Sequence, residues 1–176
     1  SLAPKPALDA RSNAFSAPAL LNADAFPEPD WLETTLGGLA KYEADACGGY
    51  IAPIWETPPP AWLTERFHGF LAMRTERSDD YPVTAPGQAP FGANMAFKKS
   101  SFERHGLFRT DLGKSGETPM TGEDTEFGRR LLDAGDQLIY APRAFVYHPV
   151  KKERIRKRYF ESWYFNYGKY LARTVG

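Results

Sequence analysis

Apolar residues along this chain alternate between two patterns. In PDWLETTLGGLAKYEA, Trp31, Leu32, Leu36, Leu39 and Ala40 recur at three- and four-residue spacing, which predicts a helix capped by Asp30 with Glu33 at its third position. The same spacing predicts helices in LTERFHGFLAMR, in the brief SSFERHG with Ser100 and Glu103 as its capping box, and in TGEDTEFGRRLLDAG with Thr121 as cap. Between them lie apolar runs that predict strands: PALLNADAF, GGYIAPIW, GANMAF, and DQLIYAPRAFVYHP, read as two short strands around Pro142. KKERIRKRYFESWYFNYGKYLAR closes the chain as one long helix, with Ile155, Tyr159, Trp163, Tyr167 and Leu171 every four residues. Strands alternating with helices argue for an α/β layered domain.

This pattern divides the chain into three parts. Residues 1–18, proline-bearing and without a period, form an irregular segment; residues 19–149 form the α/β core; residues 150–176 form a basic, aromatic C-terminal helix. Residues 75–90 and 109–122 read as turn-rich loops, the second long enough to carry function.

Composition narrows the class. At 176 residues with 42% hydrophobic content, the chain can bury one core and is no disordered tail. Its formal charge is zero, which argues against a nucleic-acid binder, and no RNA-binding signature accompanies its aromatics. Charge is nevertheless segregated, because residues 150–176 hold eight Lys or Arg against two Glu. Such a basic aromatic helix either packs one face on the core, lies on an anionic membrane surface, or does both with its two faces. A single cysteine, Cys47, forms no internal disulfide and no zinc site, which fits a reducing compartment. With no membrane-spanning run and no signal-peptide core in SLAPKPALDARSNAF, the expected location is cytoplasmic, with attachment at the inner face of a membrane left open.

Candidate chemistry sits at three places. Asn22 and Asp24, two apart at a strand end, can address one cation or the hydroxyls of a sugar; the plainer reading is a turn satisfied by its own side chains. Glu123 and Asp124 open a helix, where acids favour the dipole, and Glu126 is placed to pair with Arg130. Asp124, however, stands on the side of Phe127 and Leu131 at i, i+3, i+7, and an inward carboxylate is either a buried cap or a working group. His148 ends an apolar run, as a structural histidine or a metal ligand. Trp55, at a strand end before prolines, is either a core aromatic or a stacking platform.

Five segments in order, LLNADAFPEPDWLE, GGYIAPIWE, PFGANMAFKKSSFERHGLFRTDLG, GEDTEFGRRLLDAG and YAPRAFVYHPV, resemble the later part of a family-2 glycosyltransferase with the GT-A fold. The resemblance spans about residues 19 to 172. It implies an incomplete GT-A-like mixed sheet flanked by helices, with the nucleotide-binding portion that precedes it in the family missing or shortened. It also implies a metal-dependent inverting transfer of a sugar from a nucleotide-sugar donor to a saccharide or lipid-linked acceptor. Residue by residue, Asp24 matches the acid that binds Mn²⁺ or Mg²⁺, and His148 a histidine that completes the metal site. Asp124 matches the general base and Glu123 a group orienting the acceptor. Gly92, Ala93 and Asn94 match the loop beside the sugar. The family usually has Asp where Asn22 stands. The alternatives are a non-catalytic saccharide- or partner-binding remnant of such an enzyme and, from Asp24 and His148 alone, a metal-dependent phosphoryl hydrolase.

Overall fold

A computed structural model of the chain describes residues 19–20, 24–76, 79–115, 118–119 and 121–174. In order these form β1 (Ala19–Leu20), β2 (Phe26–Pro27), α1 (Trp31–Lys41), β3 (Ala46–Trp55), a 3₁₀ turn (Glu65–Leu71) and β4 (Tyr81–Val83). A 3₁₀ turn (Pro86–Gln88), β5 (Met95–Phe97), α2 (Lys99–His105) and a small hairpin of β6 (Lys114–Ser115) with β7 (Thr118–Pro119) follow. Next come α3 (Glu123–Asp133), β8 (Leu138–Val150), a 3₁₀ turn (Lys152–Ile155) and α4 (Lys157–Thr174).

Six strands make one mixed sheet in the order β1-β5-β3-β8-β2, with β4 alongside the first part of β8. Its centre is the parallel pair β3 and β8, flanked by antiparallel β5, β2 and β4. Helices cover the sheet, and α4 lies at the C-terminal end, so this is the mixed sheet flanked by helices that the sequence implies.

Each sheet face has its own core. On one face, α1 sets Trp31 and Leu39 against Cys47, Ile51, Ile139 and Val146. The helix lies close on the strand at Gly38, where a Cβ would stand 3.4 Å from Cys47 Sγ, at the limit of ordinary contact. On the other face, Phe127 and Leu131 of α3 meet Ala46, Phe97, Leu138 and Tyr140. Phe127 and Leu131 are fully buried, and burial of side chains this large stabilises by about 1.5–3 kcal/mol each.

β8 is a single strand of 13 residues, where the sequence suggests two. The break at Pro142 is instead an irregularity: Gly49 pairs with Ala141 but Ile51 with Val146, so β8 spends three more residues than β3 on this step. Its backbone rides over Gly49, where a Cβ would collide with the Ala144 carbonyl, so only glycine fits.

Local predictions fail mainly at helix ends. Asp30 makes no side-chain cap and instead faces Arg143 at 3.9 Å. α2 starts at Lys99, ahead of the Ser100 capping box, and Gly122 rather than Thr121 precedes α3. The stretch LTERFHGFLAMR is a 3₁₀ turn rather than an α-helix, closed by Ala72 in the left-handed region at φ 54°. The last helix begins only at Lys157, because Arg156 is extended. Its buried side runs through Phe160, Asn166 and Tyr170, while Leu171 is exposed.

Candidate active site

α3 begins on a glycine. Gly122 has φ +103°, and a Cβ there would stand 2.6 Å from the ring of Tyr170 on α4, so this residue both turns the chain into the helix and seats α4 against its N-terminus. Glu123 and Asp124 follow in the first turn. The Glu123 carboxylate lies over Gly113, where a Cβ would come within 3.0 Å of it.

Asp124 is held at both oxygens. Thr125 donates to Oδ1 from its backbone N–H at 2.7 Å and from its hydroxyl at 3.3 Å; the backbone N–H of Gly92 donates to Oδ2 at 3.0 Å. Burial pushes this carboxyl above the ordinary carboxylate value, against the lowering effect of those N–H groups. A carboxylate so placed is a stronger base than a solvated one.

The Gly92 turn is braced from beneath. Asn94 N–H donates to Phe91 O at 2.8 Å, and its buried side chain donates to Tyr50 O at 3.1 Å and Ala144 O at 2.7 Å. Its Oδ1 accepts from Trp31 Nε1 at 2.8 Å. These are carbonyls at the irregular step between β3 and β8, so one amide ties that step to the loop that meets Asp124.

His148, on β8 opposite Pro53, is 2% exposed, and its Nε2 lies 3.9 Å from Asp24 Oδ1. His148, Gly92, Ala93, Glu123 and Asp124 all line one cavity of about 560 Å³, in the size range of small-molecule sites. Asp24, half exposed, stands beside His148. Four predicted positions do not join them in that role. Asn22 lies outside the described residues. The Asn94 side chain is spent on backbone and Trp31. Trp55 packs with the cluster of Leu63, Leu71 and Phe160 rather than lining the cavity. Asp24 itself is at the rim rather than in the lining.

Two ligands about 2.1 Å from one small divalent ion lie at most about 4.2 Å apart, so the Asp24 and His148 separation fits a shared cation. Among the described residues, no cluster of three or more His, Cys, Asp and Glu forms a fuller metal site.

The cavity's other wall is aromatic and basic. Phe70 and Arg66 come from the 3₁₀ turn at 65–71, and Tyr159, Trp163 and Tyr167 from α4. Trp163 stacks on Tyr167 at 5.2 Å between centroids and meets Phe70 edge-on at 4.5 Å. Sequence reasoning assigned Tyr159, Trp163 and Tyr167 to core or membrane; their four-residue repeat was the available signal. Arg66 and Arg154 gave none.

No family model matches the chain. It is 25% identical over 155 residues to the glucosyl-dolichyl phosphate glucuronosyltransferase of Haloferax volcanii, covering 86% of this chain and 49% of that one. It is 29% identical over 153 residues to the succinoglycan biosynthesis protein ExoM of Rhizobium meliloti, covering 82% and 45%. A pre-mycofactocin glycosyltransferase of Mycobacterium tuberculosis is 29% identical over 130 residues, covering 74% and 26%. The chain therefore spans half or less of the length of these curated relatives. The crystal structure of GalNAc-T7 with UDP, GalNAc and Mn²⁺ superposes with a TM-score of 0.52 at 19% identity, covering 76% of this chain and 27% of that one. The fold is thus that of a GT-A glycosyltransferase. In sequence, too, the chain is similar to glycosyltransferases.

Proposed function

We propose that this domain transfers a sugar from a nucleotide-sugar to a saccharide or lipid-linked acceptor with inversion, and that Asp124 is the base. The observation that carries this reading is a partly buried carboxylate fixed by Gly92 N–H at 3.0 Å and open to the same cavity as His148. Asp124 takes the proton of the acceptor hydroxyl as that oxygen forms its bond to the anomeric carbon from the face opposite the leaving diphosphate. The bond from the anomeric carbon to the diphosphate oxygen breaks with its electrons left on the phosphate. Glu123, at the cavity edge, orients the acceptor, and Gly92 and Ala93 bring bare backbone close to the sugar. Asp24 and His148 would hold Mn²⁺ or Mg²⁺, with Asn22 as a neutral oxygen donor nearby in sequence. Bound there, the cation would offset charge on the donor's diphosphate.

The names of the relatives support this chemistry. One acts as a glucuronosyltransferase on a dolichyl phosphate-linked glucose, and another serves succinoglycan biosynthesis. Among the described residues no helix is long and apolar enough to cross a membrane. α4 instead turns Tyr164, Phe165 and Leu171 outward among Lys157, Arg158 and Lys169, which favours peripheral contact with the anionic cytoplasmic face of a membrane.

The test is transfer and donor binding by the purified protein with Mn²⁺ and UDP-, GDP- and dTDP-sugars. Asp124→Asn is expected to lower transfer by roughly 10²–10⁴-fold while donor binding persists. His148→Ala and EDTA are expected to weaken donor binding. Glycan binding that survives both EDTA and Asp124→Asn, with no transfer, identifies a saccharide-binding module instead.

A further inference from the structure

The cavity is electrically divided. Glu123 and Asp124 occupy one side, with Asp24 at the rim, whereas the wall made by the 65–71 turn and α4 carries Arg66 and Arg154. Among the described residues neither guanidinium makes a salt bridge, although most of the other described arginines do. Two cations facing a ligand-sized space without carboxylate partners there are matched to an anion brought by the ligand.

Arg154 is also aimed. Its Nε donates to Tyr159 Oη at 3.3 Å, its guanidinium carbon lies 5.5 Å from that ring's centroid, and Tyr159 Oη donates onward to Phe70 O at 3.3 Å. Tyr159 and Phe70 therefore tie Arg154 to the turn that carries Arg66. Beside this basic patch α4 carries the rings of Trp163 and Tyr167, the second stacked on Tyr170 as well, and they give the cavity an aromatic wall for the apolar C–H groups of a sugar. Tyr164 borders the cavity and is half exposed, so this side opens toward solvent, where a large acceptor has to come in.

We propose that this wall is an acceptor subsite for a sugar bearing an anionic group, a phosphate or carboxylate, with Arg66 and Arg154 binding the charge and Trp163 and Tyr167 the ring. The proposal rests on Asp124 as the base, since it is the direction from Asp124 that makes this the acceptor side. A phosphate in this cavity can come from two sources, the acceptor or the diphosphate of the donor, and the assignment here is to the acceptor.

Titration calorimetry on the purified protein separates the two. The probes are methyl glucoside, glucuronic acid and glucose 1-phosphate for the acceptor, and UDP with Mn²⁺ for the donor. At least one anionic sugar is expected to bind about tenfold tighter than methyl glucoside, the increment of one charge-assisted contact. The double variant Arg66→Gln, Arg154→Gln is expected to erase that preference and leave methyl glucoside and UDP affinities within about twofold. Arg154→Lys, which keeps charge but loses the fork, is expected to retain only part of it. Equal binding of charged and neutral sugars, or no sugar binding, overturns the proposal. So does a double variant that weakens UDP and leaves the anionic sugars unchanged, which assigns the arginines to the donor while the transferase reading stands. Anionic preference with no UDP binding keeps the arginines as an anionic-sugar site but overturns its assignment as an acceptor subsite, together with the transferase reading.

Discussion

The backbone N–H of Gly92 donates to Asp124 Oδ2 at 3.0 Å, joining two positions 32 residues apart. With Thr125 engaging the other oxygen, the carboxylate has little freedom to turn. Its orientation is set before any substrate arrives, as positioned catalysis requires.

Burial holds the Asp124 carboxyl above its ordinary value. A base works ionised, so transfer rises as pH climbs through that raised value. The acid limb of kcat/KM against pH is expected above the ordinary aspartate range of about 4, and a limb at or below that range contradicts a buried base.

The same shift makes Asp124 a cost to the fold. Because the folded value exceeds the unfolded one, the penalty is absent below the unfolded value and complete above the folded one. Asp124→Asn is therefore expected to raise Tm by a few degrees at neutral pH, and the gain is expected to vanish as pH falls below about 4. Calorimetric scans at both pH values measure this, and an equal gain at both ends shows that charge is not the cause.

Asn94 acts through position rather than chemistry. Asn94→Ala strips partners from Tyr50 O, Ala144 O and Trp31 Nε1, and is expected to cost about 3 kcal/mol in urea unfolding. Asn94→Asp retains the acceptor for Trp31 but lacks both donors, so it is expected to restore little. A loss below about 0.5 kcal/mol in the alanine variant contradicts the bracing role.

These residues show what the sequence made legible. Asp124 was readable because its inward direction follows from helical spacing to Phe127 and Leu131, a purely local property. The core strand of β3 was readable from its apolar run. The role of Asn94 was not, since it depends on carbonyls of Tyr50 and Ala144 left by a step in sheet register. Arg66 and Arg154 were equally silent, because their shared wall exists only once the 65–71 turn packs on α4. Helix caps misled at Asp30, Ser100 and Thr121, where packing decides the first turn and the side-chain cap does not form. Trp55, open in the sequence between core aromatic and stacking platform, ends its strand as expected and packs inward.

Gly122 and Tyr170 couple α4 to the base. Gly122→Ala meets both a left-handed backbone and the Tyr170 ring, and is expected to cost about 2 kcal/mol or more. Tyr170→Ala in the same chain is expected to relieve the clash but not the backbone strain, giving less than additive losses. Strict additivity in denaturation argues that the two do not press on each other.

Peripheral membrane contact predicts salt-sensitive co-sedimentation with anionic liposomes. Replacing Lys151, Lys152, Arg156 and Lys157 by Gln is expected to abolish it, and Phe165→Ser to weaken it at low salt. Binding that ignores salt, or none at all, assigns α4 to packing alone.

The three additional residues that β8 spends beside Tyr50 carry a consequence for how this fold tolerates insertions and deletions. Side chains alternate along a strand, so an odd count reverses which side each later residue takes. Val146 and His148 share the side of Ile51 only through that reversal, and Tyr147 would occupy it otherwise. Losing a single residue between 142 and 145 would bring Pro149 to the place of the imidazole next to Asp24 without altering any of the site residues themselves.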